Sequence, residues 1–291
     1  MGIKSQCFSG VSFPKQPYHG AMTRFGIKTA CTFLALLGLV GTGMTPVAAA
    51  PPKDPVGIDI SWPQCGKTLP ERPAFAIVGV NGGLASNDNP CFADQLAWAK
   101  KFTTGVTAQP KVALYVNTAN PGHEGSWWPA SNTYRDVVVA NPYGTCEGAV
   151  DLPCSYVYGY VRAYQDAVER VKTDPGSYFW WLDVETGNSW QTGADDSTAL
   201  NRATLEGMVD YFKRTTVGVG IYSTSYQWGI IAGTVPPTSS LTALPSWLAG
   251  AKTLRGAKSN CSLPGLTPGS TVTVTQYVSA GLDYDYSCPS K

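Results

Sequence analysis

The stretch Trp180-Trp181-Leu182-Asp183-Val184-Glu185-Thr186-Gly187-Asn188 decides how this chain is read. Bulky apolar residues run into a Thr-Gly-Asn turn, which marks a buried strand and the loop that follows it. Side chains alternate along a strand, so Leu182 and Val184 share one face and Trp181, Asp183 and Glu185 the other. If the strand belongs to a parallel barrel, the Leu/Val face packs under helices. The carboxylates then point inward near the strand's C-terminal end, where such barrels keep their active sites. Two carboxylates about 7 Å apart on one face are costly to desolvate unless they are protonated, paired or functional. Coupled acids also separate in pKa, which leaves one able to donate a proton near neutrality. A structural ion pair, or a loop-end pair in water, is the alternative.

Outward from this strand, short β-rich runs alternate with helical patterns, as in an α/β parallel sheet or barrel. Strands are expected at 57–61, 75–80, 111–117, 178–185, 217–222, 246–249 and 271–278. Between them, Phe92, Leu96, Ala99 and Phe102 line one helical face, and Val157, Tyr160, Tyr164, Val168 and Val171 a second. Leu205, Met208, Val209 and Phe212 make a third, capped upstream by Asp195-Asp196-Ser197. Residues 121–153 are loop-like, and helices fade in the C-terminal third, where a (β/α) TIM-like barrel would be irregular. No repeat or long linker divides 51–291, so one barrel domain is expected.

Residues 1–50 read as a signal peptide. Arg24 and Lys28 precede an apolar run beginning at Ala30, which closes on Pro46-Val47-Ala48-Ala49-Ala50, a small-residue cleavage pattern. The run is shorter than the roughly 20 residues of a membrane span. A start at Met22 would give a leader of ordinary length. An uncleaved anchor is the alternative. After cleavage no membrane span remains, and the product is secreted or held at the envelope.

The whole chain has 291 residues, a net charge of +1 and 14% charged residues. The first 50 residues hold Lys4, Lys15, Arg24 and Lys28 and no acid, which leaves 17 basic and 20 acidic side chains in the mature part. That balance argues against a nucleic-acid partner, which calls for a basic stripe. One mature histidine, His123, excludes poly-histidine metal sites and leaves a Ser-His-Asp triad a single possible base. Gly218-Val219-Gly220 lacks the third glycine of a dinucleotide fingerprint, and Gly256-Ala257-Lys258-Ser259 lacks the upstream glycine of a P-loop. There is no G-x-S-x-G elbow. Neither a cofactor nor a metal is expected, and any chemistry must rest on carboxylates.

Export makes Cys65, Cys91, Cys146, Cys154, Cys261 and Cys288 a disulfide framework. Six cysteines allow about 15 connectivities. The sequential set is preferred: Cys65–Cys91 joins loops after consecutive strands, Cys146–Cys154 closes one loop, and Cys261–Cys288 brackets the last strand.

Other segments supply candidate partners for the central pair. In Gly57-Ile58-Asp59-Ile60-Ser61 the isoleucines face one way and Asp59 and Ser61 the other, although a strand-end Asp also caps turns. Tyr115 and Asn117 alternate against Val112, Leu114 and Val116, Tyr222 ends its strand, and Gln276 precedes Tyr277. Asp283 and Asp285, in a Gly-Leu-Asp-Tyr-Asp stretch, read as turn residues. Trp62, Trp127, Trp128, Trp190 and Trp228 fall in or beside strand-following loops. Flat aromatic faces suit sugar rings but also fill cores. The adjacent Trp127 and Trp128, in the long loop, are the first choice for a subsite.

Together these residues resemble glycoside hydrolase family 25, the barrel lysozymes that cleave the glycan strands of peptidoglycan. More closely, they are similar to secreted actinobacterial glycoside-hydrolase-like domains of unknown function. Four motifs carry the resemblance over nearly the whole mature chain: Gly57-Ile58-Asp59-Ile60-Ser61, Leu182-Asp183-Val184-Glu185, Trp247-Leu248-Ala249, and Gln276-Tyr277 followed by Asp283. The resemblance implies that Glu185 is the proton donor and that Asp183 orients the substrate N-acetyl group or stabilises the developing cation. It also implies that Asp59 and Asp283 support Asp183. Ser61, Tyr115, Asn117, Trp127, Trp128, Trp181, Tyr222, Gln276 and Asp283 would contact a cell-wall polysaccharide bound by a monomer.

The pattern departs at Val78-Gly79-Val80-Asn81-Gly82-Gly83, where the lysozymes carry a polar K-x-T-E-G type ending, and at Tyr115-Val116-Asn117, where they carry Y-H-F. The inserted loop 127–153, with its own cysteine pair, is also foreign to that family. These departures keep open a second function, a catalytically silent glycan-binding or envelope-organising protein on the same fold.

Overall fold

Alternation of apolar and polar side chains builds a closed sheet in the computed structural model, which describes residues 54–290. The export segment read at 1–50, with Met22, lies outside the described residues. In chain order the elements are β1 (Val56–Ile60), β2 (Ala76–Gly79), α1 (Phe92–Phe102), β3 (Val112–Asn117), β4 (Thr133–Tyr134) and β5 (Val137–Val138). There follow α2 (Leu152–Tyr164), β6 (Phe179–Asp183), α3 (Ser197–Thr215), β7 (Gly218–Ser223) and α4 (Ser225–Ile231). The last are β8 (Ser246–Ala251), α5 (Leu254–Asn260), β9 (Val272–Ser279) and β10 (Leu282–Ser287). Around the barrel the order is β1-β2-β3-β6-β7-β8-β9-β10 and back to β1. Neighbours are parallel except at β10, which runs antiparallel to both β9 and β1. The α/β barrel read from the sequence is therefore present.

Outward-facing Ile58, Ile60, Leu114, Val116, Leu182, Val184 and Ile221 pack under the helices in one large core. Inward-facing Phe75, Ile77, Ala113, Trp181, Trp247 and Val274 fill the barrel floor. The interior is thus apolar below and polar above, which places the acids at the C-terminal mouth.

β10 corrects the sequence reading, which took Asp283 and Asp285 as turn residues. Ala280 and Gly281, both with positive φ (51° and 75°), form the two-residue connection of a tight hairpin. The strand's polarity is inverted: Asp283 and Asp285 face in, while Leu282 and Tyr284 pack on the outer core. The Cys261–Cys288 bridge accordingly closes over a hairpin of two strands rather than over one. Cys65–Cys91 and Cys146–Cys154 complete the sequential set.

Helices α2 and α3 cross at Gly159 and Gly207. A Cβ at Gly159 would run into the Thr204 carbonyl, and one at Gly207 into that of Tyr156. Beyond α2 the helix continues in π form over Gln165–Val171. The segment read as loop at 121–153 includes the β4–β5 ribbon and the start of α2, and is stapled by Cys146–Cys154. No helix among the described residues is long and apolar enough to cross a membrane.

Candidate active site

Strand ends bring Asp59, Asp183 and Glu185 into one pocket of about 180 Å³. Ser61, Tyr115, Tyr222, Gln276 and Asp283 line it too, Ser61 and Tyr115 as the alternation on their strands predicts. No lysine or arginine does.

Local hydrogen bonds hold the acid-bearing backbone. The Thr118 hydroxyl donates to the Asp183 carbonyl (2.7 Å) and the Ser223 hydroxyl to that of Val184 (2.7 Å), so neighbouring strands pin the Asp-Val-Glu segment from both sides. Glu185 stands at the rim, half-buried, and its Oε1 accepts from the Gln227 side chain at 3.4 Å. Asp183 is buried below, and its Oδ1 has no hydrogen-bond partner. On the facing wall the Tyr222 hydroxyl donates to Gln276 Oε1 (2.9 Å), which turns the amide so that Nε2 donates to Asp59 Oδ2 (2.9 Å). Gly79 makes room for this wall. A Cβ there would sit 2.5 Å from the Ser61 Cβ and 2.7 Å from the Tyr115 ring, so the glycine lets both pocket residues pack against its strand.

Burial without a counter-cation governs the electrostatics. Desolvation, with the charge of Asp283 added, pushes Asp59 up to about 8. Asp183 is raised well above the usual carboxylate range by burial, then by Glu185 and Asp59. Burial also raises Asp283. The cluster therefore holds protons at neutral pH that the same side chains would release in water, and those protons belong to the cluster rather than to single residues.

Asp285 and Trp247 escape the sequence reading, as do the pocket-lining Pro63 and Gln64. Asp285 is fully buried, with no hydrogen-bond partner on either carboxyl oxygen, and it is raised far above the usual range by burial and by Asp59. It lies two positions beyond Asp283 on the inward face of β10, a relation visible only once that segment is read as a strand. Trp247 lines the pocket, packed on Tyr222 at 4.3 Å between ring centroids. Its motif was legible, its place in the wall was not. Trp62 stands beside the pocket residue Pro63 with 48% of its surface exposed.

Four of the predicted contacts are placed elsewhere. Asn117 is buried against Asn81, with its backbone N–H and side-chain amide both donating to Asn81 Oδ1 (2.8 and 3.1 Å). Trp181 lies in the apolar floor between Phe179 and Trp247. Trp127 and Trp128 stack on Tyr158 of α2 at 5.9 and 5.2 Å between centroids and do not line the pocket. Loop aromatics found apolar partners in the helix beneath them, so they pack instead of presenting free faces. His123 is exposed and bonded to the Gly148 carbonyl (2.7 Å), on the edge of a neighbouring groove of about 680 Å³ that Trp190 also lines. Among the described residues no group of three or more His, Cys, Asp or Glu side chains is arranged to hold a metal ion.

No protein-family model matches the chain, and no curated protein matches it. Among solved structures it is similar to the bacterial lysozyme from Streptomyces coelicolor, at 17% identity over 81% of this chain and 92% of that one, with a TM-score of 0.46. It is also similar to a muramidase from Trichobolus zukalii, at 16% identity over 81% and 94%, with a TM-score of 0.44. A family GH25 lysozyme from Aspergillus fumigatus gives 15% identity over 80% and 94%, with a TM-score of 0.44.

Proposed function

We propose that this protein is an exported glycoside hydrolase that cleaves a cell-wall amino-sugar glycan of the peptidoglycan type. The observation that carries the reading is the convergence of Asp59, Asp183 and Glu185 in one cation-free pocket at the barrel mouth. Glu185, at the rim, is the proton donor to the glycosidic oxygen, because it is the acid of the three that an entering chain meets first. Asp183, with Oδ1 unpartnered, accepts a hydrogen bond from the substrate's N-acetyl N–H, which a carboxyl that keeps its proton can still do. Asp59 and Asp283 support it, and the Tyr222–Gln276 pair sets the orientation of Asp59. The exposed Trp62 offers a face to a neighbouring sugar. The chain works outside the cell or in the envelope as a single-domain monomer, freed by cleavage after Ala50, and needs no cofactor.

Digestion of purified peptidoglycan, followed by borohydride reduction and mass spectrometry of the fragments, tests this. Fragments ending in a reduced amino sugar are expected. Intact strands that retain bound protein would replace the hydrolase with the silent glycan-binding reading.

A further inference from the structure

Arg162 is the one arginine among the described residues that is buried, and it differs from the half-buried arginine two turns on. Arg170 bridges Asp88 and Asp166 at 2.7 and 2.8 Å. Arg162, only 6% exposed, takes part in no ion pair among the described residues. Its Nη1 donates to the neutral Gln165 Oε1 at 2.8 Å, and its Nε has no acceptor. Asp166, one helical turn on, is already held by Arg170. The guanidinium lies over the rings of Trp127 and Tyr158, at 5.5 and 4.9 Å from their centroids. Those faces fix its plane and offset part of its desolvation, but they supply no counter-charge. Arg162 lines a pocket of about 270 Å³ together with Tyr158, Ser126, Asn188, Ser189 and Glu124.

We propose that this pocket binds a peptide attached to the glycan, with Arg162 receiving a free peptide carboxylate and Glu124 a peptide amine. Three features select that ligand. A buried, flat guanidinium with an open donor matches a carboxylate. Glu124 in the same pocket disfavours a multiply charged anion and suits a ligand of both signs, while the hydroxyls of Ser126 and Ser189 and the Asn188 amide suit peptide bonds. Asn188 and Ser189 belong to the loop that leaves Glu185, so the pocket opens on the face that carries the proposed acid. The inserted loop acquires a purpose here: its Trp127 braces the arginine. The inference rests on the cell-wall reading of the ligand, not on turnover.

The test is calorimetric binding, in the Glu185→Gln protein, of a disaccharide-peptide, the same compound with its carboxylates amidated, and the peptide-free disaccharide. The disaccharide-peptide is expected to bind about 10-fold or more tighter than either of the others. Adding Arg162→Gln should erase the difference, and Glu124→Gln should reduce it. Equal affinity for the three compounds would overturn the proposal whether or not the arginine variant folds, because that comparison needs no change at Arg162. A peptide preference that survives Arg162→Gln in folded protein would also overturn it. Hydrolysis by the unmutated protein is scored separately: a peptide preference without hydrolysis removes the hydrolase and leaves this site standing.

Discussion

Replacing Asp59 with Asn should stabilise the protein at neutral pH and leave it little changed in acid. Asp59 titrates near 8 in the fold, against an ordinary value of 3.8. Between those values the folded protein holds a proton that the unfolded chain has released. Stability therefore falls as pH rises, by about 1.4 kcal/mol per pH unit for one such group. From pH 5 to pH 7 Asp59 alone contributes a loss of roughly 2 to 3 kcal/mol. Asp166, raised to about 7, adds to the loss in the same direction, as do Asp183 and Asp285. Asn cannot ionise, yet its carbonyl still accepts from Gln276. The variant's curve should therefore be flatter by the Asp59 share. Urea unfolding at pH 5, 6 and 7 measures this. Wild-type stability should drop across the series, and Asp59→Asn should drop less by about 2 kcal/mol. Parallel curves, or wild-type stability that rises over this range, would refute the view that desolvated carboxyls hold their protons in the fold.

Other expectations concern the packing and the pocket wall. Gly159→Ala forces a methyl group against the Thr204 carbonyl where α2 crosses α3 and should cost about 1 to 3 kcal/mol or more, seen as a lowered melting temperature. An unchanged melting temperature would mean that the helix crossing is not limited by backbone contact. Tyr222→Phe removes the hydroxyl that orients Gln276 toward Asp59, and hydrolysis should fall about 10-fold with a shifted pH–rate profile. A fall in rate with an unmoved profile would assign Tyr222 to packing alone.

The seven parallel strands were legible because each alternates apolar residues under the helices with a distinct inward set. Asp183 and Glu185 follow from the same two-residue period, since Leu182 and Val184 leave them no other face. The eighth strand was not legible, because β10 turns acids inward and aromatics outward, the reverse of an ordinary half-buried strand. Asp285 was lost with it. The fates of Trp127 and Trp128 depend on Tyr158, which a separate helix brings beneath the loop, and no local pattern announces that contact. Arg162 was hidden for the same reason: on a helical repeat it reads as one more polar residue, and its burial against two rings appears only when loop and helix are assembled.

The central claim is that Glu185 delivers a proton to a glycan held over Asp183 and Asp59. The measurement that tests it most directly is the release of new reducing ends from purified peptidoglycan by wild-type and Glu185→Gln protein, with strand binding measured on the same samples. The account predicts steady release by the wild type, loss of at least about 100-fold in the variant, and undiminished binding in both. Equal release by the two proteins, or binding by both with no release from either, would contradict it.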